Sequence, residues 1–231
     1  MNTHYTYLLL LACCIAGPLA LSFDKKVAFY SKWKWVWPAI LWPALFFVAA
    51  DIWFVHLKVW SFNAQYVLPG FSIAGLPVEE ILFFIIVPYC CLFIYECVSC
   101  YFPQIQDGQW ARMLLALLAI MLAIVAVVFS AKIYTFYYCL FLALGLGAYL
   151  VFRKKIPGFK PALFLVSFGI ILIPFMGVNG VLTALPVVNY AAPHHLGIFI
   201  YTIPIEDVFY GMLLCLANIL LYESSKNRAK I

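Results

Sequence analysis

The chain has 231 residues, of which 67% are hydrophobic and only 10% charged, with a net charge of +5 and a mean hydropathy of +1.05. So apolar a balance excludes an ordinary soluble domain and leaves an integral membrane protein. The basic residues lie in short clusters between apolar runs, which speaks against a nucleic-acid-binding face and leaves them to orient the chain in a bilayer.

A bilayer crossing takes roughly 20 mostly apolar residues, and seven stretches qualify: Tyr5–Leu21, Val36–Val55, Leu76–Val98, Met113–Phe129, Ile133–Phe152, Pro161–Met176 and Ile198–Tyr222. The first lacks the basic start of a secretory signal, so it reads as a retained span. Trp33, Trp35, Trp37 and Trp42 cluster where the chain enters the second, as an interfacial aromatic belt would. The loops Leu57–Gly75 and Gly177–Gly197 carry Pro69, Gly70, Pro186, Pro193 and Gly197, the composition of folded-back segments.

Lys25, Lys26, Lys32, Lys34, Arg112, Arg153, Lys154, Lys155, Lys160, Lys226, Arg228 and Lys230 fall on one side of this topology, and only Lys58 and Lys132 on the other. The positive-inside rule then predicts an outside N-terminus and a cytoplasmic C-terminus, in the cell membrane.

Cys13, Cys14, Cys90, Cys91, Cys139 and Cys215 sit inside apolar runs, where a thiol behaves as a small hydrophobe. Cys97 and Cys100 form a single C-x-x-C without a second pair or a histidine at ligand spacing, so no metal site is expected. His194 and His195, adjacent in an outer loop, are read as hydrogen-bonding residues.

One phrase occurs twice. Leu76-Pro77-Val78-Glu79-Glu80-Ile81-Leu82-Phe83-Phe84 returns as Ile203-Pro204-Ile205-Glu206-Asp207-Val208-Phe209-Tyr210-Gly211, offset by 127 residues (204 − 77). The same offset aligns Gly70 with Gly197, Ile73 with Ile200, Tyr95 with Tyr222 and Glu96 with Glu223. It lays spans one to three on spans five to seven and leaves the fourth unpaired. The predicted fold is all-α: seven transmembrane helices as two parallel three-helix repeats, residues 1–104 and 132–231, joined by a linker helix within 105–131.

A charge well inside a membrane helix costs about 2.5 kcal/mol or more, so such residues usually face a protein interior or cavity. The bland reading is that Pro77 and Pro204 begin helices whose following acids complement the helix dipole. A dipole needs one carboxylate, however, and each phrase supplies two. Successive helical residues diverge by about 100°, so Glu79 and Glu80 cannot face each other, whereas Glu79 and Glu206 can if the third spans of the halves are opposed. Phe83 and Tyr210 lie one turn deeper on the same faces, placing aromatic rings beneath the carboxyls, where they can shield a cation. A protonated carboxyl beside an ionised one is the usual division between general acid and general base.

Asp51, a third intramembrane acid, has Val178 as its offset partner and reads either as a functional group or as a hydrogen-bond acceptor for the outer loop. Glu96 and Glu223 close their helices where acids oppose the dipole. Their repetition predicts a structural partner such as Arg112 or the Arg153–Lys155 cluster.

Two Pro-x-Glu-(Glu/Asp) phrases heading the third helices of tandem membrane units resemble the membrane-integral lycopene cyclase family, the type found as two small subunits or their fusion. The resemblance spans nearly the whole chain, with Pro77-Val78-Glu79-Glu80 standing for one subunit's motif and Pro204-Ile205-Glu206-Asp207 for the other's. It implies an enzyme that converts the ψ ends of lycopene into β-ionone rings, through γ-carotene to β-carotene, by acid–base isomerisation with no redox change and no cofactor. Glu79, Glu206, Glu80 and Asp207 would be catalytic, Phe83, Phe84, Tyr210 and Asp51 would bind substrate, and Pro77 and Pro204 would head the motif. The partner implied is a lipophilic carotenoid drawn from the bilayer, with other carotenoid-pathway enzymes as candidate protein partners.

The soluble-type lycopene cyclases resemble flavoproteins and carry a dinucleotide fingerprint. Gly145-Leu146-Gly147 lies within a span and lacks the third glycine, so no flavin or nicotinamide site is expected. The alternative is a proton-coupled small-molecule transporter, which shares a layout of three, one and three helices but needs a polar lumen. Spans two and six offer few hydroxyl or amide side chains for one. A retinal photoreceptor would need a Schiff-base lysine in the last span, and Ile198–Tyr222 has none.

Overall fold

The computed structural model describes residues 3–228; Lys230 of the basic tail lies outside them. The elements run α1 (Thr6–Leu21), α2 (Trp33–His56), β1 (Trp60–Phe62), β2 (Ser72–Ile73), β3 (Leu76–Pro77), α3 (Val78–Tyr101), α4 (Gln109–Val128), α5 (Ile133–Phe152), α6 (Pro161–Ala184), β4 (Val188–Tyr190), β5 (Phe199–Ile200), β6 (Ile203–Pro204) and α7 (Glu206–Arg228). All seven α-helices are long and apolar enough to cross a membrane, so the chain is an all-α integral membrane protein.

Three departures from the expected helix bounds bear on the site, beside smaller shifts elsewhere such as α4 starting at Gln109 and α7 running to Arg228. Leu76-Pro77 is not the start of a helix; it pairs with Ser72–Ile73 in a hairpin, and Pro77 is extended, with φ −60° and ψ 149°. Ile203-Pro204 does the same with Phe199–Ile200, so the last span begins at Glu206 rather than Ile198. Conversely, α6 runs past Met176 to Ala184. Its last turns remain helical although they carry Gly177, Asn179, Gly180 and Thr183, and the Thr183 hydroxyl donates to the Asn179 carbonyl at 2.9 Å.

The 127-residue offset reappears in three dimensions. The hairpins β2–β3 and β5–β6 are equivalent, Gly70 and Gly197 both have φ of 79°, and Ala74 and Tyr201 are both left-handed, at 51° and 59°. Val78 N–H donates to the Phe71 carbonyl at 3.0 Å, and Ile205 N–H to the Ile198 carbonyl at 3.0 Å. The two loops expected to fold back thus share this hairpin ahead of each acidic phrase, although the first part of the second, up to Ala184, is helical. An antiparallel pairing of β1 with β4, with Trp60 opposite Tyr190, joins them over one end of the bundle.

At the other end Glu96 accepts from Lys32 Nζ at 2.5 Å, from Lys226 Nζ at 2.7 Å and from the Tyr222 hydroxyl at 2.6 Å. These are the structural partners expected for the repeated acid, in place of Arg112 or the Arg153–Lys155 cluster. Arg112 instead pairs with Asp107 at 2.6 Å. Lys32 precedes α2 and Lys226 closes α7, so the cluster ties α2, α3 and α7 together. Helix α3 is the most enclosed of the seven, with Phe84, Tyr89, Leu92 and Tyr95 fully or almost fully buried. Helix α4 instead exposes Leu117, Ile120, Ile124 and Val127, as a lipid-facing helix would.

Candidate active site

Because residues adjacent on a helix point about 100° apart, the two acids of each phrase reach different surroundings. Glu79 is fully buried and accepts the Leu68 backbone N–H at 2.7 Å. Glu206, also fully buried, accepts the Leu196 N–H at 2.7 Å and the Thr135 hydroxyl at 2.6 Å. In both, the second oxygen, Oε2, is buried with no protein hydrogen bond. The first acid of each phrase therefore fastens the loop before its hairpin to the start of its helix.

The second acids turn inward. Glu80 and Asp207 line one cavity, and Asp51, from the C-terminal end of α2, lines it too. Glu80 accepts the Tyr7 hydroxyl at 2.6 Å, and Asp207 accepts the Tyr134 hydroxyl at 2.5 Å. Asp207 has two further donors, the Tyr190 hydroxyl at 2.9 Å and Asn179 Nδ2 at 3.2 Å. The Tyr210 hydroxyl approaches Asp51 at 3.5 Å. Trp60, Phe83 and Tyr210 supply aromatic wall.

The acids that share the cavity are thus Glu80, Asp207 and Asp51, while Glu79 and Glu206, expected to face each other, lie outside its lining and bond to loop backbone. Phe83 and Tyr210 both reach it. Phe84 stands outside the lining, its ring 5.7 Å from that of Phe47 and 6.3 Å from that of Tyr210. Pro77 and Pro204 are buried hairpin residues that set the direction of α3 and α7. All four phrase acids occupy first helical turns, where the dipole favours them, yet none of their carboxyls caps its own helix.

Sequence reasoning missed Tyr7, Tyr134, Tyr190, Asn179 and Trp60. The first two were within its reach, since they stand in spans one and five at the repeat offset. Tyr190 and Asn179 carried no such signal. His195 is buried in the loop between β4 and β5, where its Nδ1 accepts the Gly197 N–H at 3.0 Å. Burial pushes its imidazole below the ordinary value, although the nearby Glu206 acts in the opposite direction.

The lycopene cyclase family model matches the chain twice, over residues 4–98 and over residues 131–224. The chain belongs to the lycopene cyclase family. The two matched stretches hold both acidic phrases and the three phenols that bond to them, Tyr7, Tyr134 and Tyr190. No curated protein and no solved structure matches the chain. Membership makes this lycopene cyclase homologue an enzyme of carotenoid synthesis, and its seven apolar helices suit a lipophilic substrate held in the bilayer.

Proposed function

We propose that the chain is a lycopene β-cyclase that isomerises the ψ ends of lycopene, through γ-carotene to β-carotene, by acid–base chemistry without a cofactor. The carrying observation is that two carboxyls from equivalent positions, each with its own phenol donor, open onto one cavity walled by aromatic rings. A proton added to the terminal double bond leaves a tertiary cation. The neighbouring alkene attacks it, closing the ring and moving the charge into it. Loss of a ring proton forms the last double bond. One proton enters, one leaves, and no electrons are exchanged, so the step needs an acid, a base and a shield for the cation.

The donor sets divide the roles. With three donors to stabilise a negative charge, Asp207 is the better placed to collect the ring proton, whereas Glu80, with one phenol, is the better placed to deliver the first. Asp51 is the third acid at hand, and the rings of Phe83, Trp60 and Tyr210 face the developing charge. Glu79 and Glu206 are positioning residues that fix the loops over the cavity.

Two further points are proposed with this reading. The matching hairpins, hydrogen bonds and family matches support repeats within 1–104 and 132–231 around a linker helix. The Lys32–Glu96–Lys226 cluster, at the end away from the acids, supports a cytoplasmic C-terminus.

Expression in a lycopene-accumulating cell tests the function. Chromatography should show lycopene replaced by β-ring carotenoids and the pigment turning from pink to yellow-orange. Unchanged lycopene in cells that contain the inserted protein would contradict it.

A further inference from the structure

Behind the acid cavity lies a second, apolar one. It is a narrow space bounded by Cys14 of α1, by Phe83, Val87 and Ile94 of α3, and by Ile171 and Val178 of α6. Phe83 borders both spaces, so the two adjoin at that ring. From Phe83 to Ile94 the cleft follows α3 for about 16 Å, at 1.5 Å per residue.

The counterpart space at the repeat offset, among α5, α7 and α2, is filled. At the repeat offset, Pro174 corresponds to Phe47, Val178 to Asp51 and Phe83 to Tyr210. There the Phe47 ring lies 5.5 Å from Tyr210 and 5.7 Å from Phe84. At the same offset, Gly211 takes the place of Phe84, and a Cβ at 211 would come within 2.9 Å of the Phe175 ring. The glycine therefore lets Phe175 lie against α7.

We propose that the cleft between α1, α3 and α6 is the subsite for the polyene chain, holding the hydrocarbon next to the end group while that end reacts among Glu80, Asp207 and Asp51. The inference rests on the cyclase reading, which supplies a long linear hydrocarbon as substrate. A ψ end seated among three acids must lead its chain away through apolar surroundings, because a polar wall would lose its own hydrogen bonds against a hydrocarbon. The cleft meets that requirement at the cavity's border, and its walls of aliphatic, thiol and aromatic side chains fit a flat polyene.

Val87→Phe and Val178→Phe narrow the cleft from opposite walls without touching an acid. Each should turn over lycopene about tenfold more slowly or worse, as expected for an overfilled apolar site, while a shortened polyene carrying the same ψ end reacts at close to the parental rate. Equal loss on both substrates, or no loss on either, overturns the proposal. A parent chain that cyclises neither substrate contradicts the cyclase reading instead.

The unmodified protein offers an independent readout if the variants fail to insert. Cys90 borders the cleft, whereas Cys13 is exposed on α1 outside its lining. Lycopene in the membrane should slow alkylation of Cys90 by N-cyclohexylmaleimide and leave that of Cys13 unchanged, as read by peptide mass. Equal rates at Cys90 with and without lycopene overturn the proposal.

Discussion

Tyr7 and Tyr134 stand 127 residues apart, and each donates its phenol to the second acid of its own half, Tyr7 to Glu80 at 2.6 Å and Tyr134 to Asp207 at 2.5 Å. The equivalence ends there, because Asp207 also accepts from Tyr190 and Asn179. Tyr7→Phe should therefore slow ring formation more than Tyr134→Phe. Loss of the single donor to Glu80 is worth about 1.5–3 kcal/mol, or roughly ten- to a hundredfold in rate. Initial rates in membranes with equal protein check the order; a larger effect at Tyr134 contradicts it.

Glu79 and Glu206 act through the backbone of the outer loops. Glutamine keeps a carbonyl able to accept the Leu68 or Leu196 N–H, so Glu79→Gln and Glu206→Gln should retain activity within about tenfold of the parent. Alanine leaves a buried N–H unpaired and should destabilise the fold by about 1–3 kcal/mol. Thermal midpoints and turnover of the four variants separate positioning from proton transfer, since a proton donor or acceptor could not tolerate the amide.

The Lys32–Glu96–Lys226 cluster is partly screened, with the lysine side chains about one-fifth exposed, at 21% and 23%. Glu96→Gln should lower stability by about 1–3 kcal/mol, between the values for exposed and fully buried pairs. The acids lie at the far end of the bundle, so turnover at low temperature should stay near parental. A thermal midpoint unchanged in detergent contradicts a bracing role.

His195 gives the outer loop a pH dependence. Its imidazole is held below the ordinary value by burial, and Nδ1 must be unprotonated to accept the Gly197 N–H. With the folded value depressed, the stabilisation is present above the unfolded value of about 6.5 and is lost as pH falls through the folded one. Asparagine can accept the same N–H without titrating. Between pH 7.5 and 5.5 the thermal midpoint of the parent should therefore drop further than that of His195→Asn; parallel curves contradict the assignment.

The seven spans were legible because a bilayer leaves the backbone no alternative to helix, so apolar length alone decides. The recurring phrase was legible because both occurrences keep the proline and the acids. Which acid faces inward was not. Helix α3 is apolar on every side, so its sequence has no polar face from which to fix the rotation, and Glu79 and Glu80 look equivalent until the loops are placed.

The starts of α3 and α7 were misread for a related reason. Leu76-Pro77 and Ile203-Pro204 are apolar enough to belong to spans, yet extended hairpins take them. The partners of Glu96 stand 64 and 130 positions away in the chain, a proximity that only the assembled bundle creates. The C-terminal end of α6 hid Asn179 because Gly177 and Gly180 look like loop residues, although both lie within the helix.

The central claim is that Glu80 delivers the proton that starts ring closure. Its most direct test is the rate of β-ring formation from lycopene by Glu80→Gln, measured in membranes against the same amount of parent protein. An amide keeps the shape and cannot deliver a proton, so the rate should fall by about a hundredfold or more, the usual worth of a general acid. A variant that forms β rings at the parental rate would contradict the account.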